Sequence, residues 1–324
     1  MKNFESFLAP QLSGYLIYRQ GLGYSIKLTR HCLLVFDRYL KQTNAQWDML
    51  TPFFFLEMRA NLEMEPCSVN KVISTVRVFF QFLVRREYVD QNPLRDIPFL
   101  KENSVIPFVF SRMQTEQLLE AVCKGLRRSK QYFLTDLAQY LAVVLMARCG
   151  MRISEPLKLM KTHYNRDDAT LYIERTKFKK HRLIPIPRAL FTEIENYLAV
   201  REQLCPNDHN PYLLSGKGHH PIRDYRIRFL FHKAVKQIEL DQPRQIIGHV
   251  NFSHPTPHSL RHAFAVNILL NIKERGQSPQ HALPVLAAYM GHTLYKYTSV
   301  YLKVMDAMSR KNLVDFSLWQ KRKQ

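Results

Sequence analysis

Residues 254–266 read HPTPHSLRHAFAV and place two side chains that bind anions at the start of a predicted helix. We expect the helix to begin near Ser259, so that His258 and Arg261, three residues apart, share one face. Both side chains then approach a single phosphate. The alternative is a purely structural role, in which a capped helix packs through core residues Leu260, Phe264 and Val266 and His262 is hydrogen-bonded within the protein.

A second segment, ARCGMRISEPLKL at residues 147–159, places another arginine on a short connection. Gly150 is expected to end one helix and Ser154 to cap the next, which leaves Arg152 between them. A guanidinium donates two hydrogen bonds to one anion, and Glu155 is positioned to orient it. The alternative interpretation of the same residues is an Arg-Glu ion pair on the protein surface without a role in binding.

A third segment, IERTKFKKHRLIPIP at residues 173–187, predicts a β-hairpin. Residues 171–175 and 181–185 form its strands, and residues 176–180 form the turn. Lys177, Lys179 and Lys180 lie in that turn, where an ammonium group is able to protonate a leaving oxygen. A Lys-rich turn is more often a solubilising loop.

A fourth segment, YMGHTLYKYTSVYLKV at residues 289–304, contains a Gly-His pair and three candidate nucleophiles, Tyr295, Tyr297 and Tyr301. A phenol has a pKa of about 10 in water, so attack at neutral pH needs a base or nearby cations. Because the chain has 16 tyrosines, side-chain chemistry alone does not select one.

Taken together, these four segments resemble the tyrosine recombinase or phage integrase family, which includes the Xer and Cre recombinases. Its members carry an arginine in G-x-R-x-S-E, a hairpin lysine, an H-x-x-R pair, and a tyrosine nine residues after the histidine of a G-H pair. By this resemblance the catalytic residues are Arg152, Lys177, His258, Arg261, His292 and Tyr301, with Glu155 in support.

The resemblance implies a cofactor-free reaction. Tyr301 would attack a DNA phosphate and form a 3′-phosphotyrosyl link, and the freed 5′-hydroxyl would then attack the partner strand. The two arginines would neutralise the transition state, the histidines would donate hydrogen bonds or move protons, and Lys177 would protonate the leaving oxygen. No metal is expected. Strand exchange through a Holliday junction implies a homotetramer on two double-stranded DNA sites, possibly with related recombinases.

The sequence departs from the family pattern at two places. Phe178 stands where many relatives have glycine after the catalytic lysine, which makes Lys177 the less certain of the catalytic assignments. The span 271–286, which links the H-x-x-R segment to the Gly-His segment, is longer than the usual link in the family. We expect that insertion to alter protein contacts or site choice rather than the chemistry.

The predicted fold class is mostly α with a small β-sheet. In residues 1–100, Tyr15, Tyr18 and Leu22, and then Leu28, Cys32 and Phe36, recur at helical spacing, which predicts amphipathic helices. The resemblance implies that this region is the family's N-terminal helical core-binding (SAM-like) domain. Residues 101–110 form a linker. Residues 111–324 form the α+β catalytic domain with a C-terminal tail.

The 324 residues carry 47 Lys and Arg against 27 Asp and Glu, a formal charge of +20, which favours nucleic acid as the partner. We expect DNA contacts from Lys179, Lys180, Arg182 and Arg77. The most apolar stretch, 134–146, is too short to span a bilayer, so no membrane partner is predicted. The N-terminus lacks a secretion signal, and the expected location is the cytoplasm, associated with the nucleoid.

Two functional alternatives remain open beside a site-specific recombinase or integrase of a mobile element. A type IB topoisomerase shares the tyrosine and arginine chemistry but needs one DNA site. A noncatalytic DNA-binding regulator would need only the charge.

Overall fold

The computed structural model describes residues 3–174, 181–216, 220–248, 250–292 and 294–306. Within them the chain forms two compact units, residues 1–104 and residues 105–324. The fold is mostly helical with small sheets, as the sequence predicts.

The N-terminal unit contains four helices, α1 (Ala9–Gly21), α2 (Lys27–Gln42), α3 (Pro52–Asn61) and α4 (Pro66–Arg85). Helix α4 packs against α1 and α2. The predicted apolar stripe is correct for Cys32 and Phe36, which are buried, but wrong for Tyr18, Leu22 and Leu28, which are exposed. The α1 core face consists instead of Leu12, Tyr15 and Leu16.

Helix α4 is also, among the described residues, the one helix long and apolar enough to cross a membrane by length and composition. The same composition is typical of a helix at the centre of a protein core. Here one face of α4, which includes Val76, Phe79 and Phe80, is fully buried in the core of the N-terminal unit, while Val78 is 46% exposed.

The second unit is built around α6 (Phe133–Cys149), whose residues are apolar on all sides and almost entirely buried. Helices α5 (Arg112–Lys124), α7 (Arg188–Leu204), α8 (Asp224–Gln237) and α9 (Pro257–Glu274) pack against it. Helix α10 (Pro279–Met290) packs on α9. A further helical segment, α11, covers residues 296–306 and packs against the cluster formed by α9 and α10 through Tyr301 and Met305.

Two three-stranded sheets complete this unit. In the first, β2 (Tyr164–Asn165), β3 (Thr170–Ile173) and β4 (Arg182–Pro185) pair antiparallel, with Leu171 opposite Ile184. The predicted hairpin strands are therefore confirmed. The turn with Lys177, Lys179 and Lys180 lies outside the described residues.

The second sheet is absent from the sequence prediction. It has the strand order β1 (Ser104–Ile106), β6 (Val250–Phe252), β5 (Gln245–Ile247). Strand β1 falls inside the span predicted as a linker. All three residues of β1 and of β5 are exposed, so neither strand shows the alternation of buried and exposed positions that marks a strand in sequence.

Candidate active site

Helix α9 begins at Pro257, two residues before the predicted start. Thr256 is the N-cap and forms a capping box with Ser259, and proline suits the first helical position because its φ is already helical. His258, Arg261 and His262 thus occupy the first two turns. The expected shared face of His258 and Arg261 follows from this start.

Arg261 is held where two helices end. Helices α6 and α10 both stop at a glycine in the left-handed conformation, Gly150 at φ 56° and Gly291 at φ 67°. The Arg261 guanidinium donates to the carbonyl oxygen of Gly150 at 2.6 Å and to that of Met290. Two of its five N–H groups are used in this way.

Burial, and after it the charge of the nearby Arg152, lower the pKa of Arg261 to about 10. The side chain, only 1% exposed, remains a cation at neutral pH. A buried cation without a carboxylate of its own is a strong site for a phosphate oxygen.

Arg152 lies on the connection after Gly150, as predicted, although Ser154 does not cap the following helix. That short helix, Pro156–Lys158, has Glu155 at its N-cap position. Glu155 accepts from the backbone N–H and from Nη1 of Arg152, both at 2.9 Å. Arg152 Nη2 also lies 3.4 Å from the carbonyl oxygen of Gly291.

Arg182, which the sequence predicts as a DNA contact, is part of this arrangement. Its side chain is 8% exposed and both of its terminal nitrogens donate to Glu155, at 3.0 and 2.8 Å. Burial acts to raise the pKa of Glu155, but the hydrogen bonds and charge of Arg182 outweigh it, and the net shift is downward. One buried carboxylate therefore aligns two guanidiniums.

Tyr301 is buried in α11, with 3% of its surface exposed. Its hydroxyl lies 3.2 Å from Nδ1 of His262. Burial raises the pKa of Tyr301, while Arg261 and Arg152 act in the opposite direction. Tyr295 and Tyr297 are about half exposed, at 52% and 49%, and are therefore set apart from Tyr301.

Two imidazoles, those of His262 and His292, contact the Tyr301 ring, and the His258 ring packs on that of His262. His258 and His262 meet edge to face with ring centroids 4.6 Å apart, and the His292 ring stacks 6.2 Å from the Tyr301 ring. Nδ1 of His292 is 2.8 Å from the hydroxyl of Thr298, which is fully buried one turn before Tyr301. This hydrogen bond connects His292 to the helix that carries the tyrosine.

The three histidines are neutral at physiological pH. Burial is the largest cause and lowers the pKa of His258 and His292 to about 4 and that of His262 to about 3. The charge of Arg261 contributes to all three of these downward shifts. His258 keeps a solvent-exposed surface, although its ring packs against that of His262. After burial, the charges of Arg261 and Arg152 are the next causes of its lowered pKa.

The remaining predicted contact, Arg77, belongs to the N-terminal unit. Its Nε donates to the carbonyl oxygen of Leu94 at 2.8 Å and its Nη2 to that of Ile97, and its guanidinium lies over the ring of Phe99. Arg77 thus fixes the segment that follows α4, and its polar groups are occupied within the unit.

Sequence reasoning missed His262, Thr298 and the role of Arg182. A signal existed for His262, because it follows His258 by four residues and that spacing places both rings on one helix face. For the other two, the partners lie on separate segments, and no local pattern reports the contact. The described residues contain no group of three His, Cys, Asp or Glu side chains arranged to hold a metal ion.

Arg152, Arg261, His258, His292 and Tyr301 thus come together, with two cations, neutral hydrogen-bonding rings and one phenol. Preorganised donors of this kind stabilise charge that develops on a phosphoryl group in the transition state. The model of the phage integrase family matches residues 109–308, more than half of the chain and all of this site.

The chain belongs to the phage integrase family. As a tyrosine recombinase, it is an enzyme that breaks and rejoins DNA strands. Its relatives include a putative integrase/recombinase, y4rB, of Sinorhizobium fredii, 26% identical over 89% of this chain and 90% of the relative. The tyrosine recombinase XerC of Alcanivorax borkumensis is 28% identical over 69% of this chain and 68% of the relative.

The tyrosine recombinase fold is also that of a solved lambda integrase tetramer bound to a Holliday junction. The two chains superpose with a TM-score of 0.63 at 16% identity, covering 89% of this chain and 77% of the integrase. At that identity the likeness concerns the fold.

Proposed function

We propose that the protein is a site-specific DNA recombinase or integrase in which Tyr301 is the nucleophile. The observation that carries this proposal is the position of the Tyr301 hydroxyl, buried beside His262 and in the field of Arg261 and Arg152. A phenol in the electrostatic field of two guanidiniums is suited to attack an anion that those guanidiniums bind.

In the proposed reaction a DNA phosphate sits between Arg152 and Arg261, which neutralise its nonbridging oxygens. The Tyr301 oxygen attacks phosphorus, the bond to the 5′-oxygen breaks, and a 3′-phosphotyrosyl ester and a 5′-hydroxyl result. Lys177 is the proposed donor to the 5′-oxygen, with Lys179 and Lys180 as alternatives. His258 and His292 donate hydrogen bonds from their neutral rings.

Because the phosphotyrosyl ester retains the energy of the phosphodiester, rejoining needs no nucleotide. Exchange of both strand pairs between two duplexes requires four tyrosines, and we propose a homotetramer on two DNA sites. The lambda integrase tetramer on a Holliday junction is a precedent within the fold. The formal charge of +20 supports DNA contacts from both units, and the proposed location is the cytoplasm at the nucleoid.

The biological task proposed is integration or excision of a mobile element, in keeping with the relative named as an integrase/recombinase. The alternative, a type IB topoisomerase, shares the chemistry and differs in needing one site.

The test begins by selecting bound duplexes from a random DNA pool and placing the selected site in two plasmids of different size. Recombinant products that form only when both plasmids carry the site, in the presence of EDTA, support the proposal. Relaxation of supercoiled plasmid without recombinants would favour the topoisomerase. Binding without either reaction would favour the DNA-binding regulator.

A further inference from the structure

The hydroxyl of Tyr301 carries a proton that must leave before or during its attack on phosphorus. His262 Nδ1, 3.2 Å away, is the group to which the structure pairs this hydroxyl. Nδ1 of His292 pairs with the Thr298 hydroxyl at 2.8 Å instead of with Tyr301. The ring of His258 packs edge to face against that of His262.

The electrostatic surroundings fix the protonation state of His262. Burial lowers the pKa of its imidazole to about 3, and His258, Arg261 and His292 act in the same direction. The neutral ring has one N–H, and Nδ1 is an acceptor when that proton is on Nε2. In that tautomer, which the proposal requires, the neutral His262 offers a lone pair to the Tyr301 hydroxyl.

The difference in acidity decides when the proton moves. Tyr301 has a pKa above its ordinary value of 10.0, and His262 has a pKa of about 3. A gap of this size forbids complete transfer before attack. Transfer becomes favourable only as the bond to phosphorus forms, because the phenol oxygen then loses its basicity. The bound phosphate also offsets the positive charge of Arg261 that disfavours a protonated His262.

We propose that His262 is a catalytic residue that accepts the Tyr301 proton during attack and returns it when the strands rejoin. This inference rests on the proposed function. The bond from Tyr301 oxygen to phosphorus forms as the bond from phosphorus to the 5′-oxygen breaks. The hydroxyl proton passes to Nδ1 of His262, which becomes an imidazolium, and the 5′-oxygen takes its proton from Lys177.

Two variants of His262 distinguish a role as proton acceptor from a role in orienting the phenol. His262→Asn places an amide oxygen near the position of Nδ1, so it keeps a hydrogen-bond acceptor that does not take up a proton. His262→Leu removes both properties. We expect both variants to cleave a nicked suicide substrate carrying the selected site about 10²- to 10⁴-fold more slowly than wild type.

A second assay measures whether the residues other than Tyr301 and His262 remain active in the variants. DNA bearing a 3′-p-nitrophenyl phosphate joins to a 5′-hydroxyl strand without the tyrosine, because nitrophenolate leaves unprotonated. We expect both His262 variants, and Tyr301→Phe, to lose far less of this joining activity than of cleavage, because joining bypasses the phenol. Wild-type cleavage by His262→Asn, or equal loss of cleavage and joining in both variants, would overturn the role of proton acceptor. Failure of the wild-type protein itself to cleave would instead reject the proposed function.

Discussion

Glu155 shows how one carboxylate sets the geometry of the site at the scale of a residue. It binds Arg152 and Arg182 together and is itself 7% exposed. The sequence indicated its pairing with Arg152, three residues earlier. It did not indicate the pairing with Arg182, because 27 residues separate the two.

The first prediction concerns this carboxylate. Glu155→Gln leaves the buried Arg182 cation without its counter-charge, and breaking a buried pair in this way costs about 3–5 kcal/mol. Urea unfolding measures the change. The control is Glu116→Gln, which breaks an exposed pair with Arg148 and should cost about 0–1 kcal/mol. Equal losses from the two variants would contradict this account of Glu155.

Thr298 provides the second prediction. Thr298→Val keeps the shape of the side chain but removes the hydroxyl that meets His292, and an unpaired buried polar atom costs about 1–3 kcal/mol. We also expect slower cleavage, because His292 loses its link to α11. Ser299→Ala, which removes the neighbouring hydroxyl on the exposed side, is the control. Wild-type stability and cleavage in Thr298→Val would refute the role of this bond.

The third prediction concerns pH. The unfolded chain binds a proton at His262 near the ordinary pKa of 6.5, whereas the folded chain does so only near 3. The contribution of the neutral ring to stability is therefore complete above pH 6.5 and is lost as the pH falls toward 3. The slope from this residue approaches about 1.4 kcal/mol per pH unit.

Urea unfolding of wild type and His262→Asn between pH 6.5 and 4 measures that slope. We expect a shallower slope in the variant, and no such change when the exposed His31 is replaced in the same way. Parallel slopes in wild type and His262→Asn would show that His262 is not held neutral by the fold.

At the scale of an element, the ends of α6 and α10 position the arginines. Both helices stop at left-handed glycines. Arg261 donates to the carbonyl oxygens of Gly150 and Met290, which are 111 and 29 residues away in sequence. The sequence predicted the end of α6 from Gly150. It failed for the short strands β1, β5 and β6, because exposed three-residue strands have no hydrophobic alternation to detect.

The fourth prediction tests the end of α6. In Gly150→Ala the new Cβ would lie 2.4 Å from Cδ1 of Phe264, on a backbone with positive φ. We expect a loss of about 1–3 kcal/mol from overpacking beyond the backbone strain, together with slower cleavage as Arg152 and Arg261 shift. Gly248→Ala is the control, since Gly248 has φ +59° and open space around it. Similar losses in both variants would mean that strain alone accounts for the effect.

At the scale of the whole molecule, two compact units carry a large positive charge, and one of them holds the site. The resemblance identified the residues of the catalytic unit that the structure brings together, because their spacings along the chain are local. The burial of Tyr301 against α9 depends on a contact between residues 39 apart, which spacing does not encode.

The central claim is that Tyr301 is the nucleophile, and mapping the covalent adduct tests it most directly. The protein is incubated with EDTA on a nicked suicide substrate carrying the selected site, and the DNA-linked peptide is sequenced by mass spectrometry. We predict a 3′-phosphoryl link at residue 301, absent in Tyr301→Phe and retained in Tyr295→Phe and Tyr297→Phe. An adduct that persists in Tyr301→Phe, or maps to another residue, would contradict the account.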